Sequence, residues 1–158
     1  MRTIEAMNKI MGDGKVTTYY GQCLCGTVIF TIDERPSGIY QCHCSECRKI
    51  TGTSSNASCL VSEKSFSWVI GKSSISSYTH KSGYRSDFCS TCGSLLPNKI
   101  DDKPLYWVPV GTLKNTQEMQ VKAHLCISSK ASWEKNIEAG IQYPNVPDFQ
   151  ELCKAIGK

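Results

Sequence analysis

Seven of the ten cysteines in this 158-residue chain fall into three tight motifs: Cys23-Leu24-Cys25-Gly26, Cys42-His43-Cys44-Ser45-Glu46-Cys47 and Cys89-Ser90-Thr91-Cys92-Gly93. A C-x-x-C turn suits zinc, because its two sulfurs can converge on one ion at roughly 2.3 Å. A glycine after the second cysteine lets the backbone turn tightly through positive φ. C-x-C is tighter still and closes an ordinary disulfide poorly, which argues for metal over crosslinking. Structural zinc takes four ligands, whereas catalytic zinc usually takes three and keeps a position open. Seven clustered cysteines therefore divide as four and three. Cys23, Cys25, Cys89 and Cys92 would make a closed site pinning an early hairpin to a late one, and such binding contributes directly to folding. Cys42, Cys44 and Cys47 would make a three-thiolate site with one position free. Spacing alone leaves that partition open, since His43, His80, His124 or Cys59 could close the second site. A redox dithiol at Cys44 and Cys47 ignores Cys42 and lacks the βαβ context of such motifs.

The remaining chemistry-bearing residues read more plainly. Cys126 lies in the apolar run Leu125-Cys126-Ile127, and Cys153 sits on the apolar face of a candidate helix, so both read as buried thiols. His43 is either a donor behind the metal ligands or an exposed spacer, His80 a surface residue, and His124 core or cleft.

The elements that must position these residues are short. Stretches 16–20, 27–32, 38–41, 57–61, 66–70, 75–79, 84–88, 105–110 and 121–127 are rich in β-branched and aromatic residues and punctuated by serine and glycine. Many short strands at close spacing imply a mainly β, antiparallel domain, not alternating βαβ units. Asp148 followed by Glu151 has capping-box spacing, and Phe149, Leu152, Cys153 and Ile156 recur at i, i+3, i+4, i+7. A short C-terminal amphipathic helix over 148–156 follows, with a further helical turn expected over 132–138. Residues 1–15 read as an N-terminal tail and 16–158 as one domain, because Gly12-Asp13-Gly14 stops any early helix.

Composition narrows the class. Hydrophobic residues make up 40% and charged residues 20% of the chain, which excludes wholesale disorder. No apolar run approaches the roughly 20 residues of a membrane span. The N-terminus carries Glu5, Asn8 and Lys9 where a signal peptide needs unbroken apolar residues. A cytoplasmic protein is expected, and in a reducing cytosol clustered cysteines mean metal or redox chemistry. The net charge of +4 is spread along the chain, with no basic run longer than a pair such as Arg48-Lys49, which argues against nucleic acid.

With these residues in place the sequence resembles the glutathione-dependent formaldehyde-activating enzyme family, which also includes centromere protein V. The resemblance runs from Tyr20-Gly21-Gln22-Cys23-Leu24-Cys25-Gly26 through Cys42-His43-Cys44-Ser45-Glu46-Cys47-Arg48-Lys49 and Thr51-Gly52. It continues with Phe66-Ser67-Trp68, Gly71, Phe88-Cys89-Ser90-Thr91-Cys92-Gly93-Ser94, Val110-Gly111-Thr112-Leu113, His124 and Ser129-Lys130-Ala131-Ser132-Trp133. It implies a β-tent-like fold with two zinc ions. Cys23, Cys25, Cys89 and Cys92 would hold the structural ion, and Cys42, Cys44 and Cys47 the catalytic one. The chain departs from the family pattern at Ser132, where proline is common, and at Ile141-Gln142-Tyr143-Pro144, both expected near the C-terminal edge of the cleft.

The implied activity is that of a carbon–sulfur lyase acting on a thiol adduct of an aldehyde, with glutathione and formaldehyde as the pair. Three thiolates outweigh the charge of a zinc dication, so such a site is a poor generator of hydroxide. It can still hold an incoming thiol as thiolate. Arg48, Lys49 and Arg85 are candidates for receiving the carboxylates of glutathione. The rival reading is a non-catalytic zinc module that recognises protein or chromatin.

Overall fold

The computed structural model describes residues 18–137 and 139–158. The 1–15 tail and the start of the first expected strand lie outside them. The chain opens with β1 (Tyr19–Gln22), β2 (Ile29–Ile32), β3 (Ile39–Cys42) and a short helix, α1 (Ser45–Thr51). There follow β4 (Asn56–Ser62), β5 (Phe66–Ile70), β6 (Ile75–Thr79), β7 (Arg85–Cys89), β8 (Leu95–Leu96), β9 (Asn98–Lys99) and β10 (Leu105–Pro109). The last elements are β11 (Val121–Leu125), β12 (Ile141–Gln142) and α2 (Phe149–Ile156).

These strands form three sheets, ordered β1-β2-β5, β12-β11-β3-β4-β10-β9 and β6-β7-β8. The pairings are antiparallel except around β11, which runs parallel to both β3 and β12. A parallel neighbour cannot be reached through a hairpin, and here about half of the chain separates β3 from β11. That long-range pairing closes the large sheet next to the first cysteine of the central motif, since Leu125 lies opposite Cys42.

Two apolar clusters flank the large sheet. One joins it to the first sheet through Tyr19, Phe30, Ile32, Phe66, Val61 and Val108. The rings of Phe66 and Tyr106 stack there with centroids 4.1 Å apart. Gly21 and Gly71 are required by close approach: a side chain on Gly21 would strike the ring of Phe30, and one on Gly71, which has φ 77°, would strike the carbonyl of Thr27. The other cluster packs α2 against the sheet through Leu152, Ile156, Tyr40, Leu60 and Leu125. Burying such a leucine or isoleucine contributes about 1.5–3 kcal/mol. As the capping pattern predicts, Asp148 accepts from the N–H of Gln150 at 2.8 Å, and Gly157 ends the helix in the left-handed conformation.

Some sequence expectations need correction. Residues 132–137 form a turn and extended chain with no helix, and residue 138 lies outside the described residues. Helix α1 was not anticipated, because its sequence, Ser-Glu-Cys-Arg-Lys-Ile-Thr, has no apolar stripe. Its N-cap is Cys44, whose sulfur accepts from the N–H of Cys47 at 3.4 Å. The two-residue strands β8, β9 and β12 are too short to show a period of two.

Candidate functional site

Two groups of thiols converge, and all ten cysteines are free. In the first, the sulfurs of Cys23, Cys25, Cys89 and Cys92 all lie within 4.8 Å of one another. Cys23 follows β1 and Cys89 ends β7, and each opens a tight turn closed by a glycine at positive φ: Gly26 at 76° and Gly93 at 74°. Gly26 N–H donates to the Cys23 carbonyl at 3.0 Å, and Gly93 N–H to the Cys89 carbonyl at 2.8 Å. The two turns are tied together by Leu24 N–H, which donates to Ser94 Oγ at 2.9 Å.

The donor set fits zinc. Sulfurs at the corners of a tetrahedron around zinc sit roughly 3.8 Å apart, given Zn–S near 2.3 Å. Here Cys23 and Cys25 are 3.5 Å apart, and Cys25 and Cys89 are 3.8 Å apart. The surroundings also favour thiolate. Ser94, through its side chain and its N–H, brings Cys92 down to about 5, and Thr27 lowers Cys25 in the same way. Burial pushes Cys23 the other way, to about 11, although the N–H of Val28 points at its sulfur from 3.3 Å.

The second group is Cys42, Cys44 and Cys47, whose sulfurs also lie within 4.8 Å of one another. Cys42 ends β3, Cys44 caps α1 and Cys47 sits in its first turn, so a strand end and a helix start aim three sulfurs at one point. Three thiols at this separation suit the same metal with one position left over. The hydrogen bond to Cys47 and burial push the Cys42 thiol well above its usual value.

These three sulfurs line a cleft of about 520 Å³ between the large sheet, α2 and the β6–β7 hairpin. The four-cysteine group does not line it. Tyr40, Leu125, Trp107, Leu152 and Phe149 form much of its wall, and Asn56 and Tyr84 reach it beside the sulfurs. Burial, aided by the sulfurs of Cys47 and Cys44, pushes the Tyr84 phenol up and keeps it protonated, while Asn56 Nδ2 lies 3.5 Å from its oxygen.

The three candidate cations separate. Arg85 lines the cleft, but its Nε and Nη2 each donate to Asp87 at 2.9 Å. Arg48 points elsewhere and donates to the carbonyl of Ser129 at 3.3 Å. Lys49 is exposed in a neighbouring groove with Tyr78 and His80, outside the main cleft. Of the family departures, Ser132 is exposed and Ile141-Gln142 forms an exposed sheet edge. The residues after them, Val146 and Phe149, are the ones that reach the cleft.

His43 is neither a spacer nor a ligand. Its ring is fully buried, with Nδ1 2.7 Å from Glu134 Oε2 and Nε2 3.0 Å from His124 Nδ1. His124 Nε2 is 2.8 Å from the carbonyl of Ala139, which can only accept. His124 therefore donates from Nε2, and its Nδ1 faces His43 Nε2. A single chain of hydrogen bonds thus clamps the backbone between Cys42 and Cys44 onto the loop carrying Glu134. Ser54 Oγ holds the other carboxylate oxygen of Glu134 at 3.1 Å. Cys126 is buried as expected, but with φ 61° it places its sulfur 4.0 Å from that of Cys42. The sequence signal for this network was weak, because its members are separated by about 80 to 90 residues.

A β scaffold carrying two convergent thiol groups, one of them in a cleft, defines a class of protein whose cysteine groups could hold metal ions. The profile of the family described as glutathione-dependent formaldehyde-activating enzyme matches residues 18–129, and the chain belongs to that family. Among solved structures it is similar to a crystal structure of a Rhodobacter sphaeroides protein. The two share 18% identity at a TM-score of 0.51, over 78% of this chain and 98% of the other. That likeness concerns the fold. No curated protein matches the chain, and no described helix is long and apolar enough to cross a membrane.

Proposed function

We propose that the protein is a zinc-dependent carbon–sulfur lyase that joins a thiol to formaldehyde, and separates the same adduct, in the cleft over Cys42, Cys44 and Cys47. The observation that carries this reading is the placement of the two thiol groups. Three sulfurs form the floor of a cleft, and four others meet away from it. In this reading Cys23, Cys25, Cys89 and Cys92 hold a structural zinc, and Cys42, Cys44 and Cys47 hold a catalytic one. Family membership supports formaldehyde as the aldehyde and a thiol in the place that glutathione takes in the family's description. The free state of all ten cysteines is consistent with a cytoplasmic protein.

A zinc ion at the three-cysteine group would keep an incoming thiol deprotonated at neutral pH. The chain's own residues set the rest. The walls orient the thiol's body, and α2 and Trp107 screen the reacting atoms from bulk water. As the C–S bond forms, the carbonyl π pair moves to oxygen, which takes up a proton. The Tyr84 hydroxyl, protonated and beside Cys47, is placed to donate it, with Asn56 Nδ2 donating to the Tyr84 oxygen and steadying the phenolate left behind. Cleavage runs the same path backwards, with the Tyr84 oxygen taking the proton back.

The test is exchange NMR on the purified protein with glutathione and labelled formaldehyde, alongside metal analysis. Two zinc ions per chain and faster exchange between free and adduct formaldehyde are expected. A two-zinc protein that leaves the exchange rate unchanged with every thiol tried would leave only a binding module.

A further inference from the structure

Resting on the lyase reading, we propose that the thiol this cleft accepts carries an apolar or aromatic body and lacks the paired carboxylates of glutathione. Glutathione brings two carboxylates against one ammonium, so a site built for it needs cations free to meet them. Four charged residues line the cleft: Glu46, Arg85, Lys99 and Asp101. Both cations are already engaged. Arg85 makes a two-pronged pair with Asp87 at 2.9 Å, and Lys99 Nζ lies 2.7 Å from Glu63. Asp101 has no cation within ion-pair distance among the described residues, and Glu46 faces only His80, at 3.2 Å. Lys103 lies 4.3 Å over the ring of Phe149 and follows Asp101 and Asp102 in the same loop. The charge presented to a ligand is thus negative at the rim, and three metal-bound thiolates would add to it at the floor.

The uncharged surface points the same way. Tyr40, Trp107, Phe149, Leu125 and Leu152 surround a volume of about 520 Å³, ample for a phenyl or branched alkyl group beside the reacting sulfur. Placing carboxylates among these side chains without a partner would cost free energy, whereas an apolar body gains it by leaving water.

The experiment titrates the full-length protein, loaded with cobalt(II) as a visible probe, with 2-phenylethanethiol and with glutathione. Changes in the sulfur-to-cobalt absorption report binding without any turnover. The aromatic thiol should bind about tenfold more tightly or better, a difference of about 1.4 kcal/mol. The exposed change Asp101→Lys should tighten glutathione about threefold or more while leaving the aromatic thiol within about twofold, as expected for a single cleft charge. Trp107→Phe should weaken the aromatic thiol and leave glutathione nearly unchanged. Equal or tighter binding of glutathione by the native protein would overturn this proposal and leave the lyase reading standing. A spectrum that responds to neither thiol would overturn both.

Discussion

The two cysteine groups use the same side chain and similar spacings, yet the backbone presents them differently. The four-cysteine group joins two glycine-ended turns from β1 and β7, which are distant in sequence, and Ser94 stitches them together. Its sulfurs face one another and do not line the main cleft. The three-cysteine group is drawn from a single stretch, where a strand end meets a helix N-terminus, and its sulfurs face a cleft. One arrangement is suited to holding chain segments together through a shared metal. The other leaves its folding to the surrounding sheet and to the His43 clamp, so its sulfurs are available to a ligand. The local electrostatics follow the same division, with Cys92 brought down to about 5 by Ser94 while Cys42 is pushed up by Cys47 and burial.

The largest expected effect comes from removing a sulfur of the first group. Cys92→Ser should leave the chain unfolded or unable to accumulate, since structural zinc contributes about 10 kcal/mol or more and domains are stable by only about 5–15 kcal/mol. Far-UV circular dichroism checks this, and a folded Cys92→Ser protein would break the comparison. Cys44→Ser should behave in the opposite way. Serine keeps the cap on α1, so melting within about 4 °C of the native protein is expected. Catalysed exchange should nevertheless fall by about a hundredfold or more, beyond what outer partners of a metal site usually cost. If Cys44→Ser and Cys92→Ser unfold alike, the division between holding and reacting sulfurs is lost.

Tyr84→Phe sharpens the reacting side. It should lower catalysed exchange by about a hundredfold with metal content unchanged, the usual contribution of a placed proton donor. Unaltered exchange would assign the proton to another group. The smallest effect belongs to Ser94→Ala, which removes the stitch between the two turns. It should cost about 1 kcal/mol in urea unfolding while leaving the rate at the cleft untouched.

Much of this organisation is legible in the residues themselves. Eight of the nine strand stretches expected from β-branched and aromatic texture overlap observed strands over most of their length, and the helix over 148–156 shows its cap and its apolar stripe. The first stretch overlaps β1 only at Tyr19 and Tyr20, because the strand runs on through Gly21 to Gln22. The cysteine motifs are visible because C-x-C and C-x-x-C spacing is a local property. What stayed hidden was set by distant partners. Arg48 and Lys49 follow a ligand in sequence, but the turn of α1 carries them away from the cleft. Tyr84, Asn56 and Trp107 look like ordinary strand residues until three elements bring them to the same sulfurs. His43 reads equally as a donor behind the cysteines or as a spacer until the parallel pairing of β3 with β11 sets it against His124.

The sequence by itself determined the β texture, the terminal helix and the three cysteine motifs, because periodicity, caps and ligand spacing act over a few residues. Only the tertiary structure decided which group meets a cleft, which cations are already paired and which hydroxyl stands beside the sulfurs. Those properties depend on contacts between segments far apart in the chain, and no local pattern encodes where such segments meet.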